Sequence, residues 1–184
     1  MEHSVVFAGF GGQGLLFTGQ VLARAAIKDG LEAFWIPSYG PEMRGGTASC
    51  IVIVGNEPIG SPAVDRFDAA IALNLPSLRK FGPRVAAGGL LLLNTSLIGN
   101  ATAGRPEIDE LRLACTELAA QGGDEKLVTV VALGALVARL GWVTPSSVKA
   151  ALREMVGKKR PEIVDVDLAV FAAGMEAGRP LAAV

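Results

Sequence analysis

Apolar and polar positions follow two periods along this chain, and the switches between them mark its elements. Ser4–Gly9 is an apolar run closed by glycines, which predicts a buried strand. Gln13–Lys28 has helical spacing, with Asp29-Gly30 as turn and C-cap. Ala33–Pro37 reads as a second strand and Thr47–Val54 as a third, joined by only the nine residues Ser38–Gly46. A parallel return needs a crossover of about a dozen residues or more, so the third strand is predicted to run antiparallel to the second or to turn away from it. A plain Rossmann half would not do this.

Gly55–Phe67 is rich in turn residues and carries two prolines, with a short edge strand expected around Pro58–Ile59. Parallel winding then resumes. Asp68–Leu73 is a strand, Pro76–Phe81 a short helix, and Gly89–Asn94 a strand whose run of four leucines requires cover on both faces. Gly99–Asp109 reads as loop, Arg112–Cys115 as a short last strand, and Asp124–Leu140 as a helix stopped by Gly141. Thr144 before Pro145 is an N-cap with proline at N1, opening a helix to Met155 or Val156, and a final helix covers Ile163–Glu176. There is no repeat and no interdomain linker. The expectation is a single α/β domain over residues 1–184, a three-layer sandwich around a mixed, mainly parallel Rossmann-like sheet.

Composition narrows the function. Apolar residues make up 51% without the 23 glycines, charged residues 19%, and the mean hydropathy is +0.43. Such a surface either enters a membrane or is covered by other protein. No apolar run approaches the roughly 20 residues that span a bilayer, so a protein partner is expected. The start, Met-Glu-His-Ser, lacks the features of a secretory signal, which favours the cytoplasm. Cys50 and Cys115 lie far apart in strand-like runs and read as buried thiols. The single histidine, His3, is expected at a frayed terminus, so no ligand set for a metal or an iron–sulfur cluster stands out. A net charge of −1 without a basic run gives no footprint for nucleic acid.

The candidate chemistry begins at Gly9, Gly11 and Gly14, a G-x-G-x-x-G turn between strand and helix, with Gly12 added. The turn lets backbone approach a ligand, and the helix N-terminus behind it suits phosphate. A NAD site also wants an acidic residue near the end of the second strand, and that position is Ser38. The plainer alternative is that the glycines only permit a tight turn and close helix-to-strand packing, since such a motif by itself is a weak signal. Gln13 adds an amide at the helix start. Ser38, Asn74, Asn94-Thr95-Ser96 and Thr116-Glu117 follow the other strands and suggest a polar crevice that binds without reacting. Ser38–Gly46, SYGPEMRGG, concentrates charge in a charge-poor chain. It reads either as a solvated turn or as a rigid loop offering Tyr39, Glu42 and Arg44 to a partner.

These motifs together carry a resemblance. AGFGGQG, SYGPEMRGG, the EPI with SP that follows, ALN (Ala72–Asn74), GGLLLLN (Gly88–Asn94), CTELA (Cys115–Ala119), VALGAL (Val131–Leu136) and FAAG (Phe171–Gly174) are similar, in order, to the gamma subunits of 2-oxoacid:ferredoxin oxidoreductases. Two departures stand out. Thr129 occupies a place where that family usually has asparagine, and Gly99–Asp109 fits none of its blocks.

The resemblance implies a complex that oxidatively decarboxylates a 2-oxoacid to an acyl-CoA and passes electrons to ferredoxin. It places thiamine diphosphate and magnesium with alpha and beta chains, and iron–sulfur clusters with a beta or delta chain. The gamma chain itself is non-redox. On this reading Gly9, Phe10, Gly11, Gly12, Gln13 and Gly14, with Ser38, Asn74, Asn94 and Thr116, border a coenzyme A or subunit crevice. Tyr39, Gly40, Pro41, Glu42, Arg44, Gly45 and Gly46 dock onto the partner chains. The lone chain is expected to dimerise. Two rivals stay open: a self-sufficient NAD(P)-dependent reductase, and a purely structural subunit.

Overall fold

The structure, a computed structural model, describes residues 2–38, 47–157 and 161–180. Its six strands are β1 (Glu2–Phe10), β2 (Glu32–Ser38), β3 (Thr47–Gly55), β4 (Phe67–Ala72), β5 (Val85–Asn94) and β6 (Asp109–Leu113). They form one sheet in the order β2-β3-β1-β4-β5-β6. β3 runs antiparallel to both β2 and β1, while β1, β4, β5 and β6 are parallel neighbours. The short link after β2 therefore has the effect expected of it. It inserts a reversed strand between β1 and β2.

Side-chain alternation splits the core into two layers. Val5, Phe7, Leu90 and Leu92 face one layer, and Val6, Ala8, Leu91 and Leu93 face the other. The first layer holds α1 (Leu15–Lys28), α4 (Cys115–Gln121), α5 (Val128–Leu140), α6 (Pro145–Gly157) and α7 (Val164–Gly178). The second is thinner, built from α2 (Leu75–Phe81) and its neighbouring loops, while α3 (Thr95–Ile98) follows β5. The chain leaves β1 through α1 on one face and β4 through α2 on the other. The carboxyl ends of these adjacent strands therefore diverge, and a crevice lies between them.

α5 is buried from Val128 through Val137, which explains its uniformly apolar sequence. Its tightest contact is with α7. A β-carbon at Gly174 would fall on the Val131 carbonyl, and one at Gly178 would fall on Ala135. Asp29, at the end of α1, accepts hydrogen bonds from the Thr144 N–H (2.6 Å) and hydroxyl (2.8 Å), tying α1 to the start of α6. Burial raises the Asp29 carboxyl, and these bonds with that from Ser147 outweigh it, so the group sits below its ordinary value. Thr144 accepts from the Ser147 N–H as the predicted N-cap.

Several expectations need correction. No strand forms at Pro58–Ile59: β2 and β6 hold the two sheet edges, and the prolines there withhold ladder donors. The last strand lies earlier than Arg112–Cys115, because pairing with β5 fixes Asp109–Leu113 and leaves Cys115 to open α4. Asp124–Leu140 is divided into a 3-10 turn over Glu125–Leu127, capped by Asp124, and α5. His3 is not frayed; it pairs with Val54 in the sheet, and its ring stacks on Trp142 at 4.7 Å and 4°. Gly99–Asp109 is loop up to β6 and is pinned by arginines: Arg105 donates to the Gly82 and Val85 carbonyls, and Arg112 to those of Ala101 and Gly99. Among the described residues no helix is long and apolar enough to cross a membrane.

The α5–α7 contact sets a test. Gly174→Ala is expected to lower stability by about 1–3 kcal/mol through overpacking, read as a fall in the urea midpoint. Gly60→Ala, where a β-carbon meets nothing within 4 Å, should leave that midpoint unchanged.

Candidate functional site

β1 ends at Phe10, and the chain turns through Gly11–Gly14 into α1. Gly12 (φ 93°) and Gly14 (φ 81°) lie in the left-handed region, which glycine alone enters without strain. Gly9 is bare for a different reason. A β-carbon there would lie 3.1 Å from Leu73 Cβ, at the end of neighbouring β4, and would run into the Gln13 side-chain oxygen. The close approach of the two strand ends thus requires glycine at this position.

Gln13 closes the turn from inside. Its Oε1 accepts the Phe10 N–H at 2.7 Å, and its own N–H donates to the Phe10 carbonyl at 3.4 Å. The oxygen the sequence offered to a ligand is therefore engaged by the turn. Phe10, 36% exposed, stands at the rim.

A second anchor comes from far along the chain. Thr129, in the first turn of α5, donates its hydroxyl to the Gln13 carbonyl (2.9 Å) and accepts the Thr18 hydroxyl (2.8 Å). Thr18 and Thr129 are both buried. This chain draws the N-termini of α1 and α5 together at the turn. A β-carbon on Gly14 would lie 3.0 Å from Thr129 Oγ1 and 3.8 Å from the Lys126 carbonyl. First-turn N–H groups lack intrahelical partners and carry the positive end of the helix dipole. Two such ends meet at one corner, with Lys126 exposed beside them and the acidic Asp124 and Glu125 flanking it.

The other predicted residues divide. Asn74 is 2% exposed; its Oδ1 accepts the Ser77 N–H as the N-cap of α2, and its Nδ2 is buried without a partner. It follows Leu73, and so adjoins the glycine turn across the β1/β4 switch. Asn94 is fully buried, donating to Thr116 Oγ1 (3.1 Å) and the Leu73 carbonyl (3.4 Å) and accepting the Cys115 N–H (3.0 Å). It ties the ends of β4 and β5 to α4. Ser96 donates to the Glu117 carboxylate, a bond that holds Glu117 below its ordinary value, and accepts the Thr116 N–H at 3.2 Å.

Ser38 is not brought to the crevice. It pairs with Ser49, which pairs in turn with Ala8 of β1, so it stands two strand spacings, about 10 Å, from β1. The inserted β3 thus moves the end of β2 away from where a dinucleotide ribose would be held. Tyr39, Gly40, Pro41, Glu42, Arg44, Gly45 and Gly46 lie outside the described residues.

Neither thiol is poised for chemistry. Burial pushes Cys50 up to about 12 against the opposing effects of Trp35 and Gly19, and burial with the Glu117 charge pushes Cys115 up to about 12. The sequence reading missed Thr18, Leu73 and Lys126 as parts of this corner and noted Thr129 only as a departure. A buried threonine on the apolar face of α1 was the one local signal for Thr18.

The hydroxyl chain can be tested directly. Thr129→Val strands the Thr18 hydroxyl and the Gln13 carbonyl, at an expected cost of about 1–3 kcal/mol, and should shift the amide resonances of Gly11, Gly12 and Gly14. Thr129→Ser, which keeps the hydroxyl, should restore most of both.

Comparison with known proteins completes the picture. The profile of the POR family, Pyruvate ferredoxin/flavodoxin oxidoreductase, matches residues 4–177. The ketoisovalerate oxidoreductase subunit VorA of Methanothermobacter thermautotrophicus is 38% identical over 180 residues, which are 97% of this chain and 37% of that protein. The chain therefore spans well under half of that relative. The 2-oxoglutarate synthase subunit KorC of Methanocaldococcus jannaschii is 32% identical over 98% of this chain and 96% of its own. The crystal structure of a keto/oxoacid ferredoxin oxidoreductase gamma subunit from Geobacter sulfurreducens superposes with a TM-score of 0.84 at 29% identity, covering 97% of each chain. Along nearly all of its length, then, this chain belongs to the pyruvate ferredoxin/flavodoxin oxidoreductase family.

Proposed function

We propose that this chain is the gamma-type subunit of a multi-subunit 2-oxoacid:ferredoxin oxidoreductase, which oxidatively decarboxylates a 2-oxoacid to its acyl-CoA and passes the electrons to ferredoxin. The observation that carries this reading is end-to-end likeness to two separate small subunits, KorC and the Geobacter gamma subunit. Its occurrence as one part of the longer VorA fits a module that works beside others. Thiamine diphosphate, magnesium and the iron–sulfur clusters belong, on this reading, to the alpha, beta and delta partners, and the complex is cytoplasmic.

The corner at Gly9–Gly14 suits coenzyme A. Its donors are main-chain N–H groups at two helix N-termini, with Lys126 near them, a set that takes phosphate oxygens. Among the described residues no carboxylate is placed to clamp a nucleotide ribose at the end of β2. When bound, coenzyme A supplies the thiol that accepts the acyl group. The residues of this chain hold and orient its phosphates and leave the redox steps to the partners. Asn74, with its unpartnered amide nitrogen, offers a further donor at the crevice floor, and Asn94 and Thr116 hold that floor in shape. Ser38 has no part in it on this account. The segment containing Tyr39, Gly40, Pro41, Glu42, Arg44, Gly45 and Gly46 docks the chain onto its partners, with Arg44 forming charge-assisted contacts.

Calorimetry of the isolated chain is expected to give weak coenzyme A binding, with Kd on the order of 0.1–1 mM. Lys126→Gln should weaken it several-fold, and NAD and NADP should bind less well. Arg44→Ala should reduce assembly of the reconstituted complex without changing the chain's melting temperature. Tight NAD or NADP binding by the lone chain would refute the reading in favour of a self-sufficient reductase.

A further inference from the structure

Among the described residues β2 forms one edge of the sheet and pairs only with β3. Edge strands are ordinarily blunted by lysines, prolines, inward charges or bulges, because their free main-chain groups recruit other strands. This one carries a single such device, Pro37, near its end. Its central residues are Ala33, Phe34, Trp35, Ile36 and Pro37, and its one charge, Glu32, stands at the end.

The flanks of this edge are apolar on both sides. On the outer face Phe34 is 45% exposed, and Ile36 beside it is partly so. On the α1 side the Trp35 indole packs against Gly19 and lines an open groove of about 550 Å³ together with Ala23 and Ile27. Ile27 is 62% exposed. The rim charges are balanced within one copy, since Glu154 pairs with Arg24 (3.1 Å) and Lys28 (3.0 Å). Among the described residues, what remains unpartnered is a strand edge with hydrophobic shoulders.

The sequence of the strand indicates what covers it. Pro37 has no N–H, and an edge strand tolerates proline with its nitrogen turned to the free side. By alternation Ala33 and Trp35 then also turn their main-chain groups outward. A two-fold axis through Trp35 sets Phe34 opposite Ile36 of a second copy, Ala33 opposite Pro37, and Glu32 opposite Ser38. Apolar residues meet apolar residues on both faces, and no like charges oppose one another. Trp35 exchanges both main-chain bonds with its own copy, and each Ala33 N–H meets a Pro37 carbonyl, while the Ala33 carbonyl opposite Pro37 receives no donor from the strand and is left to water. We propose that two copies of this chain associate through antiparallel pairing of β2 with β2 about Trp35, joining their sheets into one.

The pairing follows from the strand and does not depend on the proposed activity. A strip about 24 Å long gives an interface at the small end of the stable range, so dimerisation is expected at micromolar concentration. Sedimentation of the full chain from about 1 to 100 µM should show a monomer–dimer equilibrium. Phe34→Glu and Ile27→Glu, both at exposed positions, should each weaken it at least about tenfold while leaving the circular dichroism unchanged.

Register is read by cross-linking. Opposed residues in antiparallel strands have Cα atoms about 4.5–5.5 Å apart, within disulfide reach. Phe34→Cys mixed with Ile36→Cys should form a disulfide between copies under mild oxidation, and Phe34→Cys alone should not. Cys50 and Cys115 are buried and do not compete. A chain monomeric throughout that range, a dimer indifferent to Phe34→Glu, or the absence of the register-specific disulfide would each overturn the proposal.

Discussion

The fold turns on the contact between the ends of β1 and β4. Gly9 lies against Leu73, and the Gln13 side chain fills the space a β-carbon at Gly9 would take. Because the strands meet so closely there, the chain must leave β1 through glycines, and α1 must start with its N–H groups facing the crevice. Thr129 and Thr18 then fix α5 to the same point. Two helix N-termini held at one turn are a consequence of packing, and they bring two sets of first-turn N–H groups together at the carboxyl ends of the strands.

The reversed β3 is the second determinant. A doubly wound sheet with β2 beside β1 would bring an acidic residue at the end of β2 to a bound ribose. Here β3 lies between them, and Ser38 ends β2 about 10 Å away. The glycine turn is therefore separated from the partner that would make it a dinucleotide site. A glycine turn with no carboxylate at the end of β2 among the described residues is consistent with the proposed role, in which this chain holds phosphate and the redox chemistry is carried out elsewhere.

Much of this was readable in the sequence, for identifiable reasons. Leu90–Leu93 declared a strand covered on both faces. The short link after β2 ruled out a parallel return. Thr144-Pro145 marked the start of α6. What escaped was non-local. Thr18 and Thr129 are 111 positions apart, and nothing in either neighbourhood announces their bond. The arginines that pin Gly99–Asp109 act on main-chain carbonyls, which carry no sequence signature. The short helix α4 was hidden because CTELA follows a strand pattern that pairing with β5 cuts off at Leu113. At the candidate site the glycines were legible, whereas the role of Gln13 was not, since its oxygen turns inward to Phe10.

The account holds that this chain contributes shape and phosphate-facing main chain to an enzyme whose redox centres lie in other chains. The most direct measurement is to purify it alone and together with its co-purifying companions. Iron, sulfide, thiamine diphosphate and 2-oxoacid oxidation by ferredoxin are then assayed in each fraction. The account predicts that all four stay with the companions and that full turnover needs this chain added back. A lone chain that oxidised a 2-oxoacid, or that carried a stoichiometric metal cluster, would contradict it.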